Sequence, residues 1–331
     1  MKKSTFPVAI FFLLTLFKVH AQQRPNIVLI LADDMGYSDL GCFGSEIQTP
    51  NLDKMAKEGI KMTNFYNASR CCPSRASLLT GLYPHQAGVG DMMNKRPFPA
   101  YQGYLNRNSV TLAELLKSAG YGTYMAGKWH VGQEKENWPR QRGFQRYYGL
   151  IDGANSYFEN RPYRPNQTLT IALDNEAIVP PKDYYSSDAY TDYAMTFIGE
   201  HLETKKENPF FLYLAFQAPH WPIHAKPQDI AKYRGKYMEG WEAIREKRFQ
   251  KQQQLGILPP TTKLSPIDTT LRNWNDCSWE EKVKWDEKMA VYAAMVDELD
   301  QNVGRLVDFL RSKGQLDNTV FIFLSDPIRL P

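Results

Sequence analysis

The sequence predicts an α/β fold in which a mostly parallel central sheet is flanked by helices. Three runs of consecutive apolar residues support this prediction, at 25–32, 209–218 and 319–324, and polar residues follow each run directly. Such runs are typical of strands that are buried on both faces, as in a parallel sheet. Helical patterns lie between them, most clearly at 111–120 and 278–313, and this alternation is typical of a layered α/β domain.

The first part of the chain predicts a strand, a helix and a second strand. Residues 25–32 form the first predicted strand, and Asp33-Asp34-Met35-Gly36 follows it. Residues 51–59 predict a short helix, because Asn51 or Thr49 can cap its start and Gly59 can end it. Residues 61–66 predict a strand that leads into the cysteine pair at 71–72.

The middle of the chain predicts a helix, a strand and a long irregular segment. Thr111 can cap the helix over 111–120, and the strand over 121–126 comes next. That strand ends at Gly127-Lys128-Trp129-His130. Residues 135–190 are rich in Tyr, Asn, Pro and Arg, and their weak periodicity predicts loops and short strands around a pocket.

The last part of the chain predicts mostly regular structure. Four elements follow one another: a helix over 188–203, a strand over 209–218, an exposed helix over 241–254 and a long helix over 278–313. Apolar residues recur at helical spacing in the long helix. Residues 319–324 predict a further buried strand, which ends at Ser325-Asp326.

Composition and charge predict a secreted globular protein. Of the 331 residues, 43% are hydrophobic and 13% are aromatic, which predicts a packed core. Residues 1–21 resemble a secretory signal peptide, and their apolar run is too short to span a bilayer. Without them the lysine and arginine count falls from 40 to 37 against 36 acids. We therefore expect a secreted or periplasmic protein without a membrane span, and no nucleic-acid partner.

Two adjacent carboxylates follow the first predicted strand. In open α/β sheets, ligands bind at the carboxyl ends of the strands. Asp33 and Asp34 repel each other unless a cation lies between them, and a hard divalent ion with oxygen ligands meets that need. The alternative is a turn in which Asp33 caps the next segment.

The sequence is organised around residues 69–81. Pro73 suits the first turn of a helix, which places Cys71 at a helix N-terminus. Backbone N–H groups and the helix dipole favour an anion there and lower the pKa of a thiol. The alternative is a buried pair of small apolar cysteines. Modification of Cys71 would leave three cysteines, an odd number that fits no disulfide framework, although one bridge using Cys42 or Cys277 stays open.

Cys71-Cys72-Pro73-Ser74-Arg75 fits the pattern C-x-P-S-R, and Leu79-Thr80-Gly81 continues it. This motif resembles that of the sulfatase family, in which a maturation enzyme oxidises the first cysteine to formylglycine. The segments at 127–130 and 218–222 resemble the family's G-K-W-H and A-P-H-x-P, and the resemblance runs from about Arg24 to Asp326. It implies an alkaline-phosphatase-like fold, with the catalytic domain at 22–326.

The resemblance also implies a metal site at the ends of two strands. Asp33, Asp34, Asp326 and the hydrated formylglycine formed from Cys71 would hold a calcium ion, and magnesium is the alternative. The ion would polarise a sulfate oxygen and help to ionise the aldehyde hydrate.

The remaining implied roles concern binding and proton transfer. Lys128 and His220 would neutralise the sulfate, and Arg75 would steady the aldehyde hydrate. His220 would donate a proton to the leaving alcohol. His130 would take the proton whose removal expels sulfate and restores the aldehyde.

The function implied is that of a sulfuric ester hydrolase of arylsulfatase type. Its substrate would be an aryl, sugar or steroid sulfate, and its partner a formylglycine-generating maturation enzyme. Three alternatives stay open: a phosphatase or phosphonate hydrolase of the same superfamily, an inactive remnant, and a thiol enzyme that uses Cys71 and His130.

The end of the chain departs from the family pattern. Sulfatases continue the last strand as Asp-Asn-Gly-Gly, and Asp326 fits whereas Pro327 has no side-chain oxygen to offer. Sulfatases then add a second sulfate-binding lysine and a smaller C-terminal subdomain. We therefore expect residues 327–331 to be an aberrant tail, the subdomain to be missing, and a chain that ends at Pro331 to be weak or inactive.

Overall fold

A computed structural model describes residues 24–165 and 168–326. The predicted signal peptide at 1–21 and the predicted aberrant tail at 327–331 lie outside the described residues. The strands are β1 (Asn26–Ala32), β2 (Gly122–Gly127), β3 (Arg146–Leu150), β4 (Ile171–Leu173), β5 (Glu176–Ile178), β6 (Phe210–Ala215) and β7 (Thr319–Ser325). The helices are α1 (Pro50–Glu58), α2 (Cys71–Thr80), α3 (Leu112–Ser118), α4 (Ser186–Thr204), α5 (Pro227–Ala231), α6 (Trp241–Gln254) and α7 (Trp279–Ser312).

The described strands form one seven-stranded sheet in the order β5-β4-β3-β2-β6-β1-β7. The four neighbouring pairs β3-β2, β2-β6, β6-β1 and β1-β7 are parallel. Strand β4 is antiparallel to both of its neighbours, β3 and β5. Ala215 is in register with Leu31 of β1 and with Gly127 of β2, and Ser325 is in register with Ala32. The residues that follow β1, β2, β6 and β7 therefore emerge at one edge of the sheet.

Helices cover both faces of the sheet, as the predicted fold class requires. Val28 and Ile30 pack into a core formed with α1, α4 and α7. Leu29 and Leu31 point to the other face and pack with α2 and α3. Because both faces of β1 are covered, its run of apolar residues is continuous instead of alternating.

The predicted helices are confirmed, with small shifts at their ends. Thr111 accepts a hydrogen bond from Glu114 N, and the Glu114 side chain bonds back to Thr111 N, which forms a capping box at α3. Ser278 and Glu281 form the same arrangement at α7. These local signals explain why the sequence placed the two helix starts correctly.

Two predicted strands need correction. Residues 61–66 form no strand, because no described strand lies beside them to supply backbone partners, and the Phe65 side chain is exposed. The strand over 319–324 exists as β7, but it is only partly buried, with Val320 45% and Ile322 46% exposed. Among the described strands β7 pairs with β1 alone, so it forms an edge of the sheet.

An apolar pocket of about 610 Å³ lies beside this edge strand. Residues 59–62 and 321–325 contribute to its wall.

The four cysteines all have free thiols, so the alternative of one disulfide is wrong. No described helix is both long enough and apolar enough to cross a bilayer.

Candidate active site

Three carboxylates meet where β1 and β7 end. Asp33 N donates to Ala218 O over 3.0 Å, and Asp326 N donates to Ala32 O over 3.2 Å, so both residues continue the sheet edge. Asp34 has a φ of 61°, an uncommon value for a residue with a Cβ, and this turn brings its side chain back toward its neighbours. One oxygen from each of Asp33, Asp34 and Asp326 lies within 4.8 Å of the others.

The carboxylate cluster (Asp33, Asp34 and Asp326) fits a divalent cation. Asp33 Oδ1, Asp34 Oδ1 and both oxygens of Asp326 are buried and accept no hydrogen bond from the described residues. Burial and the neighbouring Asp33 raise the pKa of Asp34 to about 8, and burial raises the pKa of Asp326. Buried oxygens without donors are costly, and a hard cation is the ligand that satisfies them.

Two buried cations already border this cluster. The Lys128 ammonium donates to Asp33 Oδ2, and both side chains are fully buried. Arg75 Nη2 lies 3.5 Å from Asp33 Oδ1. Burial alone would raise the pKa of Asp33, but Lys128, His220 and Arg75 together outweigh it and hold that pKa below its usual value. Asp33 is therefore ionised and is the best-compensated of the three carboxylates.

Cys71 is the first residue of α2 and is only 1% exposed. A hydrogen bond from the Cys72 thiol lowers the pKa of Cys71 most, and Lys128 and His130 lower it further. Burial raises the pKa of both thiols; these other causes outweigh it at Cys71, whereas at Cys72 it holds the pKa well above the usual value. The position at the start of a helix agrees with the sequence analysis, whereas the contribution of Cys72 was missed.

Arg75 lies one turn after Cys71 on the same helix. Its Nη1 donates to Lys128 O over 2.8 Å, and its Nε lies 2.9 Å from Asp326 Oδ2. A single guanidinium thus connects α2 to the residues that follow β2 and β7. This planar group suits such a role, because its donors point in several fixed directions.

Lys128 and His130 reach the site because β2 ends in a glycine. Gly127 has a φ of 115°, and a Cβ there would lie 1.9 Å from Ala215 O, so the chain can turn only with glycine. Lys128 N then donates to Ala215 O over 2.8 Å, and His130 N donates to Ile151 O over 3.0 Å. Burial lowers the pKa of His130.

Gly153 leaves room for the His130 ring and was not predicted as a site residue. A Cβ at Gly153 would lie 2.6 Å from His130 Nε2. No sequence signal marks Gly153, because its partner is 23 positions away along the chain. Its requirement for a small side chain follows from packing alone.

His220 follows β6, between two cis peptide bonds at Ala218–Pro219 and Trp221–Pro222. Its Nε2 lies 3.4 Å from Asp34 Oδ2, and its Nδ1 contacts Trp221 O. Burial lowers the pKa of His220. Tyr157 OH donates to His220 O over 2.9 Å and fixes the backbone of this segment.

The structure brings together every residue that the sequence analysis proposed for the site. They are Asp33, Asp34, Cys71, Arg75, Lys128, His130, His220 and Asp326, and they surround one point at the carboxyl edge of the sheet. A buried sulfur at a helix N-terminus, a carboxylate cluster, two cations and two imidazoles can bind an anion and move protons around it.

Comparison with known proteins agrees with this arrangement. A family model described as Sulfatase matches residues 25–327. The chain is 40% identical over 324 residues to an uncharacterized sulfatase of Schizosaccharomyces pombe, covering 92% of this chain and 57% of that protein. It is 37% identical over 311 residues to an arylsulfatase of Klebsiella aerogenes, covering 92% and 66%.

A solved structure shares the architecture. The crystal structure of Ps i-CgsB in complex with k-i-k-neocarrahexaose has a TM-score of 0.66 at 30% identity, covering 92% of this chain and 58% of that one. The chain thus spans less than two thirds of the length of these relatives. The match nevertheless covers nearly all of the described residues, and on this basis the chain belongs to the sulfatase family.

Proposed function

We propose that this protein hydrolyses sulfate monoesters by means of a formylglycine formed from Cys71. One observation carries the proposal. Cys71 lies buried at the start of α2, beside Lys128 and His130, at the same edge of the sheet as the carboxylate cluster. That combination supplies a site for a reactive group, cations for an anionic substrate and ligands for a metal ion.

The carboxylate cluster would hold a calcium ion, with magnesium as the alternative. The buried oxygens Asp34 Oδ1 and Asp326 Oδ1, which accept no hydrogen bond from the described residues, support this assignment, because calcium prefers several oxygen ligands in flexible geometry. When bound, the ion would polarise a sulfate oxygen and help to ionise a hydroxyl of the hydrated formylglycine. The hydrate also supplies a second hydroxyl, whose deprotonation would re-form the aldehyde C=O and expel the sulfate that is bonded to the other oxygen.

The cationic side chains would bind and orient the sulfate. Asp33 raises the pKa of Lys128 against the effect of burial, so Lys128 keeps its charge in the closed site. Arg75 is bound to Asp326 and to Lys128 O, so it holds the base of the pocket rigid. Preorganised cations of this kind stabilise charge that develops on the transferred group.

The two histidines would move protons. Burial keeps His130 neutral at pH 7, and a neutral imidazole beside position 71 can accept a proton from a hydroxyl there. His220 lies next to Asp34 at the partly exposed mouth of the site, where it can pass a proton to the departing alcohol. Hydrolysis of the ester requires two proton transfers. The buried His130 would act as the base in one of them, and the more exposed His220 would act as the acid in the other.

The substrate class, location and maturation are parts of the same proposal. Aryl, sugar and steroid sulfates are candidates, and the names of relatives favour the first two, since one is an arylsulfatase and another was crystallised with an oligosaccharide.

The signal-like sequence at 1–21 supports secretion or a periplasmic location. The C-x-P-S-R pattern that begins at Cys71 supports a dedicated maturation enzyme, because the family motif is the sequence that such an enzyme reads.

The decisive test combines mass spectrometry with kinetics on protein from its native host. We expect the Cys71 peptide to have lost sulfur and gained an aldehyde. Cys71→Ala should lower kcat/KM for an aryl sulfate at least about a thousandfold. Cys277→Ala is the matched control, since Cys277 is a free buried thiol in a 3₁₀ turn away from the site, and it should keep the parental rate.

Other outcomes would contradict the proposal. An unmodified Cys71 thiol together with loss of activity on alkylation would favour the thiol enzyme. A higher rate on the matched aryl phosphate than on the aryl sulfate would favour a phosphatase. Parental rates in Cys71→Ala would remove Cys71 from the mechanism altogether.

A further inference from the structure

A second group of metal-ligand atoms lies beside the carboxylate cluster. Cys71 Sγ, Cys72 Sγ and a ring nitrogen of His130 all lie within 4.8 Å of one another. All three residues are buried, and none belongs to the three carboxylates described above. We call these three residues the thiol-imidazole cluster.

One ring nitrogen of His130 is not engaged in a hydrogen bond with any described residue. His130 Nδ1 is buried and has no hydrogen-bond partner in the described part of the chain. Buried imidazole nitrogens are normally paired, so an unpaired one on a ring that lies beside two sulfurs is available to a further ligand. The Gly153 contact fixes the ring from its other side.

The backbone holds the three donors in place before any ligand binds. Both cysteines belong to the first turn of α2, where the helix sets their relative positions. His130 has a φ of 58°, and its N–H is bound to Ile151 O, so its backbone and the direction of its Cα–Cβ bond are fixed. A preorganised donor set requires little ordering when it binds an ion.

We propose that the chain with an unconverted Cys71 thiol binds a soft divalent metal ion, of which zinc is the type, through the thiol-imidazole cluster. Thiolate and imidazole donors select such ions, whereas the neighbouring carboxylates select hard ions such as calcium. In tetrahedral geometry, two thiolates bound to one zinc ion are roughly 3.8 Å apart, which the present spacing accommodates. Water fills the fourth position.

The binding step is balanced without any redox change. Each cysteine thiol releases a proton to solvent as its sulfur–metal bond forms, and His130 donates the lone pair of an unprotonated ring nitrogen. The complex of two thiolates, one neutral imidazole and a divalent ion is uncharged, so burial adds little electrostatic cost. Lys128 stays paired with Asp33 and need not be displaced.

This site would exist only before maturation. Conversion of Cys71 removes its sulfur, and Cys72 and His130 alone are too few protein ligands for a zinc site. A bound metal ion would in turn shield the Cys71 thiolate from oxidation. Soft metal ions would thus hold the protein in its unconverted form, independently of whether the converted protein hydrolyses sulfate esters.

The experiment uses the full chain expressed without a maturation enzyme. Intact mass must confirm the Cys71 thiol, and thiol counting on reduced protein must find all four cysteines free. With calcium in excess to occupy the carboxylate cluster, the protein is titrated with Co²⁺. We expect a one-to-one complex with a sulfur-to-cobalt charge-transfer band, and Zn²⁺ should abolish this band by displacement.

Variants then assign the ligands. Cys72→Ala should roughly halve the charge-transfer intensity and weaken Zn²⁺ binding more than about tenfold, and His130→Ala should weaken binding to a similar degree. Cys277→Ala, the matched control, should change neither. Circular dichroism of each metal-free variant checks its fold, and Cys72→Ser replaces Cys72→Ala where the alanine variant is unfolded.

The proposal is overturned if the reduced Cys71 chain shows no charge-transfer band. It is equally overturned if the band persists in Cys71→Ala, or if Cys277→Ala removes it. The readout is metal binding by the unconverted chain. A missing charge-transfer band would therefore not contradict the proposed sulfatase activity, and a lack of sulfatase activity would not contradict the proposed metal site.

Discussion

Arg75 and Asp326 form a fully buried ion pair, in which Arg75 Nε lies 2.9 Å from Asp326 Oδ2. Arg75 belongs to the helix that starts at Cys71, whereas Asp326 follows the edge strand β7. The pair therefore connects the reactive cysteine to the last carboxylate of the candidate metal site. It also explains a feature of the sequence pattern, since the arginine of C-x-P-S-R reaches a residue near the far end of the chain.

We expect Arg75→Ala to lower the free energy of unfolding by about 3–5 kcal/mol, because it leaves the buried Asp326 without its ion-pair partner and leaves Asp33 with Lys128 alone. Urea denaturation of the calcium-free protein measures this loss. Arg311→Ala is the control, since Arg311 is half exposed and pairs with Asp308 at the surface, and it should change stability by less than about 0.5 kcal/mol. Equal effects of the two substitutions would contradict the structural role of Arg75.

Gly153→Ala should displace the His130 ring, because the added Cβ would lie 2.6 Å from Nε2. A displacement of about 1 Å at a reacting group can cost on the order of a hundredfold in rate. We therefore expect kcat on an aryl sulfate to fall between about tenfold and a hundredfold. Gly199→Ala is the control, since the nearest atom to its Cβ lies 4.0 Å away, and it should keep kcat. An unchanged kcat in Gly153→Ala would show that the ring position is not critical.

Calcium should stabilise the protein through the carboxylate cluster. At a free concentration one hundred times the Kd, a single site adds about 2.7 kcal/mol to the free energy of unfolding. Asp34→Asn should remove most of this gain, because it removes one of three charged ligands. Asp308→Asn, at an exposed position, should keep it. Thermal unfolding with and without a chelator measures the effect, and a gain that survives in Asp34→Asn would place calcium elsewhere.

Asp152 should make stability depend on pH. Burial raises the pKa of Asp152 to about 6, although hydrogen bonds from Thr170 N and Gln133 oppose the rise. A carboxyl whose pKa is higher in the folded state adds stability below pH 4, and this contribution is lost as pH rises through 6. The loss corresponds to about 3 kcal/mol.

The variant Asp152→Asn isolates this effect, because every other titrating group is shared with the parent. The stability of the parent minus that of Asp152→Asn should fall by about 2.4 kcal/mol between pH 4 and pH 7, because the unfolded carboxyl is already partly ionised at pH 4. Urea denaturation at each pH gives both values. A difference that stays constant, or that rises with pH, would contradict the raised pKa of Asp152.

Asp286 anchors the polar segment that precedes α6. Its carboxylate accepts hydrogen bonds from Gly235 N over 2.7 Å and from Tyr237 N over 2.8 Å. Asp286→Ala should cost about 3 kcal/mol, because two backbone N–H groups lose their partner in a buried place. Faster amide exchange at 235–237 should accompany the loss. Glu287→Ala, at the exposed neighbouring position, should leave both stability and exchange unchanged.

The sequence by itself determined the fold class and most elements, and it brought forward the residues that are proposed for the site. Buried parallel strands such as β1 have continuous apolar runs, and α3 and α7 carry their own capping boxes, so local residues suffice to place them. The proposed site residues could be named because they lie in short motifs that resemble those of the family, after strands or within the first turns of a helix. Such signals are local, and they hold wherever the segment packs.

Tertiary structure alone decided how these pieces combine. Residues 61–66 have the composition of a strand but no partner beside them, and β7 is half exposed because β1 is its only partner in the described sheet. The clearance at Gly153, the raised pKa of Asp152 and the approach of His130 to Cys71 and Cys72 depend on residues far apart in sequence. Strand pairing, burial and side-chain proximity are properties of the packed chain, so no local pattern can encode them.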